Sequence, residues 1–300
     1  MTEVRIGERT FEFGGEYLVE LRDSSDCRDD VSELRTRLNS DGYLFIRDFH
    51  DPEIVADTRT DVLAHLDEEG LLDPGEPVQD AVVHPDWSNG EFDMSGSSWT
   101  HYPNLETMIE GDAVMEFFRE FLGAKPFALD QRRGRVKPTG YFTGFHIDHI
   151  FMGRGTDDLY TLWRPVGDCS VEMGPLVVYP GSHDHERLRE TYGQLDVDLD
   201  RVDPFFSRDA MDVIETIGGP LSTADFTAGD AIIFDTNLLH GSLTNRTDRF
   251  RISVDTRYQS IEEAVDPRWV GADPTGQYNL DDWGPADLTP MRERREEWGL

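Results

Sequence analysis

From about residue 126 to about residue 259 the chain is written in short β-rich stretches separated by Gly, Pro and Asp. Among them are GYFTGFHID, LYTLWRPV, GPLVVYP, DAIIFDT and FRISVDTRY. Many short strands punctuated in this way point to a sandwich, a jelly roll or a barrel. The preceding residues read differently. Residues 1–22 alternate apolar and polar positions around the Gly14-Gly15 pair, which suggests a short hairpin. Residues 28–40 read as a helix with Leu34 and Leu38 on one face, and residues 42–49 (GYLFIRDF) as a strand. Residues 52–69 form an amphipathic helix with Pro52 near its start, and a further helix from about 105 to 123 buries Leu105, Met108, Met115 and Phe118.

Between the last two helices, residues 70–104 are rich in Gly, Pro, Asp and Ser and are expected to form a long surface loop. Loops of that length tend to carry specificity, so Trp87, Trp99, His101 and Tyr102 are candidates for a lid or a substrate wall. The last 40 residues are poorly periodic and read as a cap. No repeat or low-complexity linker divides the chain, so the expected layout is one domain over residues 1–300. It is mainly β with α: helical support and lid loop over 1–125, a β-barrel core over 126–260, and a C-terminal cap over 261–300.

Charge narrows the partners. Sixty-one acidic residues face 28 basic ones, giving a formal charge of -33, and only Lys125 and Lys137 are lysines. Such a surface repels phosphate backbones, which argues against nucleic acid or an anionic membrane as a partner. The acidic residues are spread along the chain rather than gathered in a tail, as in a halophilic protein whose self-repulsion is screened by salt. An ordinary acidic enzyme from an Arg-rich genome is the alternative. Two cysteines, Cys27 and Cys169, make neither a disulfide framework nor a thiolate metal site. The opening MTEVRIGERTFEF lacks the basic-then-apolar pattern of a signal peptide, and no apolar stretch approaches the ~18 residues that span a bilayer. A cytoplasmic protein is expected, with its oligomeric state open.

The chemistry gathers on three residues. On a strand, residues two apart share a face, so in FHIDH the side chains of His146 and Asp148 point one way and those of Ile147 and His149 the other. His240 follows 92 residues after Asp148, at the end of the apolar stretch DAIIFDTNLLH. Two histidines and one carboxylate on one face leave metal positions open for cosubstrate and dioxygen, the pattern of iron(II) oxygenases. A lone H-x-D is common, and a core histidine satisfied by its neighbour is the competing account. Eleven residues after His240 stands Arg251, which on a buried strand would need an anion such as a dicarboxylate; Ser253 shares its face. Arg249 and Arg257 nearby leave open that this strand simply carries solvated charge.

Taken together, His146-Ile-Asp148, Trp163 in YTLWRPVGD, EMGPLVVYPGSH (172–183), AGDAIIFDTNLLHGS (228–242) and Arg251 resemble the phytanoyl-CoA dioxygenase family of iron(II)- and 2-oxoglutarate-dependent oxygenases. The resemblance is close over roughly residues 126–258 and looser over the N-terminal helices. It implies a double-stranded β-helix, with His146, Asp148 and His240 holding Fe(2+). Arg251 would hold the distal carboxylate of 2-oxoglutarate, Ser253 could bond the same carboxylate, and Trp163 would line the pocket or else pack the core. The implied reaction consumes O2 and 2-oxoglutarate and yields succinate, CO2 and an oxidised small metabolite or lipid-like substrate. Related halogenases carry a small residue where Asp148 stands, so hydroxylation is the implied outcome. His149, His183 and His185 are read as non-ligands; Lys137 could contact cosubstrate or an anionic substrate, with an exposed loop lysine the preferred account. A CoA ester would need a basic patch, for which RRGR (132–135) is the obvious candidate. Two rivals remain: a cupin-like isomerase or epimerase that does not use 2-oxoglutarate, and a silent binding protein of the same fold.

Overall fold

Side-chain alternation along the longest strand, Arg251–Ser260, organises the molecule. All ten of its residues are buried, with Ile252, Val254 and Tyr258 on one face and Arg251, Ser253, Asp255 and Arg257 on the other. A strand covered on both faces sits between two layers. In the computed structural model, which describes residues 2–87, 90–94, 102–272, 274, 276 and 288–300, this strand lies within a seven-stranded sheet. The order is Tyr43–Ile46, Ala231–Asp235, Tyr160–Pro165, Arg251–Ser260, Arg133–Lys137 and Phe92–Asp93, with Pro126–Ala128 also paired to Arg251–Ser260. A four-stranded sheet opposes it, in the order His240–Ser242, Leu176–Val178, Leu221–Thr223 and Leu18–Glu20. Trp163, Phe234, Phe45 and Phe226 from the large sheet and its connections meet Leu176 and Val178 of the small one, which fills part of the space between them. The architecture is the jelly roll that the family resemblance implies, one of the three forms that the strand texture allows.

The helices cover the outer face of the large sheet. Val31–Asp41 starts where Asp30 accepts a hydrogen bond from the Glu33 N–H, and ends at Gly42 with φ 79°. A Cβ at Gly42 would lie 2.5 Å from the His183 ring, so both the turn and the close approach require glycine there. Pro52–Glu68 is capped by Asp51 and carries proline in its first turn. Leu34, Leu38, Val62 and Leu66 from these helices pack with Leu44, Leu162, Ile233 and Val254 of the sheet. The predicted helix over 105–123 is two helices, Pro103–Glu110 and Asp112–Leu122, because Gly111 takes an extended ψ of 157°.

Two further expectations change. The N-terminal hairpin pairs Thr2–Ile6 with Arg9–Phe13, so its turn falls at Gly7-Glu8. Gly14-Gly15 instead leads into Leu18–Glu20, which joins the small sheet parallel to Leu221–Thr223. The described part of residues 70–104 is less loop-like than its composition suggests: Leu72 bridges Val83, Val82 bridges Arg249, and Phe92–Asp93 pairs with Arg135 and Val136. Of the aromatic residues proposed for a lid, Trp87 and Tyr102 pack against the helix-side core, while Trp99 and His101 lie outside the described residues. Among the described residues, no helix is long and apolar enough to cross a membrane.

Candidate metal centre

His146 and Asp148 reach one point by a route that strand alternation alone does not give. His146 forms an isolated antiparallel bridge with His240, each donating its backbone N–H to the other's carbonyl at 2.9 Å. The chain then leaves the extended conformation, and Asp148, with φ -69° and ψ -28°, caps the short helix His149–Met152. His240 does not end the strand Ala231–Asp235; a turn intervenes and it opens the next strand, His240–Ser242.

The Nε2 atoms of His146 and His240 stand 3.9 and 3.8 Å from Asp148 Oδ1. The three ligand atoms lie within 4.8 Å of one another, the one such cluster among the described residues, and all three side chains are buried. Neighbouring groups fix what each can offer. The two Nδ1 atoms face the carbonyls of Gly144 and Leu238 at 3.0 and 2.9 Å. Donation there places the proton on Nδ1 and leaves the Nε2 lone pairs directed at the cluster. Asp148 Oδ2 accepts from Thr161 Oγ1 at 2.7 Å and Arg257 Nη2 at 2.9 Å, leaving Oδ1 to face the histidines. Burial pushes both histidines below the usual imidazole range. Burial opposes ionisation of Asp148, but Arg257, the two histidines and the Thr161 hydroxyl outweigh it and hold its carboxyl below the usual range. Neutral imidazoles and an ionised carboxylate are the forms a divalent cation needs.

Two chambers meet at this cluster, sharing Arg135, Thr143, His146 and Arg257 in their walls. The first holds Trp163, Phe234, His240, Arg251 and Lys137. Arg251 is 2 % exposed; its Nη1 donates to Ser253 Oγ, its guanidinium lies 5.8 Å from the Trp163 ring centre, and its Nε has no partner. Trp163 also packs edge-on against Phe226, so it serves the core and the wall together. Lys137 corrects its prediction as an exposed loop residue: it is 2 % exposed, ends the strand Arg133–Lys137 opposite Arg251, and donates to Thr143 Oγ1. Burial and the adjacent Arg251 pull its ammonium well below the usual lysine range.

Arg257, for which the sequence leaves solvated charge open, is buried and binds Asp148 and, at 2.8 Å, Asp255. Arg249 is the solvated member of that run, half exposed beside Asp80. The signal for Arg257 was available, since positions 251, 253, 255 and 257 share one face. The three histidines expected to be non-ligands stand apart from the cluster: His149 faces Asp157, His183 faces the Asn39 carbonyl, and His185 accepts from the Leu188 N–H.

Two facing sheets with this cluster between them define a jelly-roll protein with a candidate mononuclear metal centre. The Phytanoyl-CoA dioxygenase (PhyH) family model matches residues 38–253, and the chain belongs to that family of non-haem iron, 2-oxoglutarate-dependent dioxygenases. An ectoine dioxygenase of Bordetella parapertussis is 26 % identical over 256 residues, covering 79 % of this chain and 78 % of that one. An ectoine dioxygenase of Nocardia farcinica is 23 % identical over 280 residues, covering 87 % of each. Among solved structures, EctD from S. alaskensis with bound Fe superposes with a TM-score of 0.58 at 18 % identity, over 90 % of each chain. The alpha ketoglutarate dependent carbocyclase SnoK from nogalamycin biosynthesis has a TM-score of 0.58 at 19 % identity, over 90 % of this chain and 96 % of its own.

Proposed function

We propose that His146, Asp148 and His240 hold Fe(2+), and that Arg251, Ser253, Lys137 and Trp163 bind 2-oxoglutarate for hydroxylation of a small molecule. The observation that carries this reading is the buried Arg251, whose Nε lacks an acceptor while a second buried cation, Lys137, stands opposite it. Two buried cations side by side are costly unless an anion joins them, and a dicarboxylate satisfies both. The donor set at the cluster fits iron(II): two imidazole nitrogens and one carboxylate, each oriented by a partner on its far side.

When bound, iron and 2-oxoglutarate supply the oxidising chemistry, with O2 as oxidant and succinate and CO2 as co-products. The protein's own part is placement. Arg251 and Lys137 would hold the distal carboxylate of 2-oxoglutarate in the first chamber, whose wall His146 and His240 also line. Arg257 and Thr161 hold the Asp148 carboxylate ionised and fixed in orientation. The buried walls exclude water from the reacting centre. Asp148 occupies the position whose carboxylate favours hydroxylation over halogenation. Two buried free thiols, Cys27 and Cys169, suit a reducing cytoplasm, where iron(II) also persists. In this reading the whole chain acts as one domain, with helical layer, barrel and cap supporting a single site.

The reading is tested by following conversion of 2-oxoglutarate to succinate with and without iron(II). Conversion that requires iron, and falls at least a hundredfold in both His240→Ala and Asp148→Ala, supports it. Iron-independent conversion, or full activity in either variant, refutes it.

A further inference from the structure

Alternation decides which charges line the inner face of the large sheet. Along Arg251–Ser260, Asp255 and Arg257 follow Arg251 and Ser253 on that face. On the neighbouring strand Arg133–Lys137, Arg135 lies level with Ser253 and Lys137 level with Arg251, so both point the same way. Phe92–Asp93 pairs next, Phe92 with Val136 and Asp93 with Arg135, which brings Glu91, one residue earlier, level with Lys137. Glu91 and Tyr141 stand in the wall of the second chamber, a cavity of about 190 Å³ that His146 and Asp148 also line.

These side chains alternate in sign along a continuous row. Arg257 Nη2 donates to Asp148 Oδ2 at 2.9 Å, and Arg257 Nη1 meets Asp255 Oδ2 at 2.8 Å. The other Asp255 oxygen, Oδ1, accepts from Arg135 Nε at 3.0 Å, and Arg135 Nη1 reaches Glu91 Oε1 at 3.5 Å. Glu91 in turn bonds the Tyr141 hydroxyl. Carboxylate and guanidinium therefore succeed one another from the metal cluster to Glu91, and none of the five side chains is more than 17 % exposed. Burial opposes ionisation of Glu91, but Lys137, Arg135 and Arg251 outweigh it and hold its carboxyl below the usual range. Burial opposes ionisation of Asp255 too, and Arg135, Arg257 and Arg133 bring it to about 2.

In such a row each charge is shared between its neighbours, so a change at one end alters the balance at the other. Glu91 takes part of the Arg135 guanidinium. Without the Glu91 charge, Arg135 leans further on Asp255, Asp255 pulls less on Arg257, and Arg257 draws more of the Asp148 charge to Oδ2. Oδ1, the oxygen that faces His146 and His240, then becomes the poorer donor. We propose that Glu91 is a positioning residue for the metal ligand Asp148, acting through Arg135, Asp255 and Arg257. This rests on the oxygenase reading and adds to it a residue that sets ligand strength from the wall of the second chamber.

The test titrates the full-length protein anaerobically with iron(II), for affinity, and with Co(II), whose visible d–d bands report the geometry and donor strength of the ligands. Glu91→Gln keeps the size and an oxygen for Tyr141 while removing the charge. It is expected to weaken iron(II) binding about five- to tenfold, at or below the roughly 10–100-fold of a group bonded directly to a ligand, and to shift the Co(II) bands. Asp255→Asn cuts the row in the middle, and in that background Glu91→Gln is expected to change iron(II) affinity by less than about twofold. Melting of each metal-free variant reports its folding; if Asp255→Asn does not fold, Arg257→Met makes the same cut. Iron(II) affinity within about twofold of wild type in Glu91→Gln, or unmoved Co(II) bands, overturns the positioning role, because an ion pair that serves only the fold changes the melting temperature alone. The full loss persisting in the Asp255→Asn background overturns it too, since Glu91 then acts on the metal without the row. Wild-type protein that binds neither metal is a separate result and overturns the oxygenase reading itself.

Discussion

Replacing Arg257 by Met tests whether the cluster depends on the residue behind it. In the folded protein Arg257 reaches Asp148 Oδ2 at 2.9 Å and Asp255 Oδ2 at 2.8 Å, with all three side chains at most 5 % exposed. Methionine keeps much of the bulk and removes both contacts, leaving two buried carboxylates with less positive charge near them. Breaking a buried pair by removing one partner costs about 3–5 kcal/mol, so Tm should fall on the order of 5–10 °C. The second effect is on the metal. Loss of an outer partner that orients a ligand lowers metal affinity by roughly 10–100-fold. Thr161→Val is the comparison, since it removes the other bond to Asp148 Oδ2, 2.7 Å long, without removing a charge. A hydrogen bond to a charged group is worth about 1.5–3 kcal/mol, so its effect should be smaller than that of losing the ion pair. Anaerobic iron(II) titration and thermal melting of wild type and both variants supply the numbers. Iron affinity within about twofold of wild type in Arg257→Met, or a larger loss in Thr161→Val, would refute the reasoning.

Three further outcomes follow from charge. Lys137 is held well below the usual lysine range by burial and Arg251, and in the proposed site a bound dianion would favour its protonated form. Binding of 2-oxoglutarate near pH 9 should therefore take up a proton, seen as a dependence of the calorimetric heat on buffer ionisation; Lys137→Met should abolish the uptake and weaken binding about tenfold or more. Because His146 and His240 are depressed by burial, the unfolded chain binds protons there that the folded metal-free protein refuses. Stability of the metal-free protein should thus fall as pH drops below about 6.5, the unfolded imidazole value, and a flat melting temperature from pH 7 to 5 would contradict this. Finally, the -33 surface repels 2-oxoglutarate at low salt. Its KM should fall severalfold as salt rises to about 1 M, where the screening length is ~3 Å, whereas a rising KM would count against the acidic coat acting on the cosubstrate.

Much of the fold and of the site is legible in the sequence, for identifiable reasons. The strand texture pointed to a sandwich, a jelly roll or a barrel and the family resemblance to the jelly roll, and alternation in FRISVDTRY placed Arg251 and Ser253 together; carried on to Asp255 and Arg257, the same rule reveals the partner of Asp148. RGRVK obeys it too, yet Lys137 reads as exposed because Pro138, Thr139 and Gly140 follow it. What hides Lys137 from solvent is its pairing with Arg251, a contact 114 residues away. The convergence of His146 and Asp148 was anticipated on strand parity, whereas the chain actually turns into a short helix at Asp148. Local pattern does not contain that turn, nor the break at Gly111, where the adjoining segments both read as helix.

The central claim is that one metal site, built from His146, Asp148 and His240, binds iron(II) and 2-oxoglutarate together. Anaerobic addition of 2-oxoglutarate to the iron(II)-loaded protein addresses it most directly, by following the weak visible charge-transfer band of the chelated oxoacid. The account predicts a band that saturates near one equivalent of iron in wild type and is absent in His146→Ala. No band in wild type, or an undiminished band in His146→Ala, would contradict it.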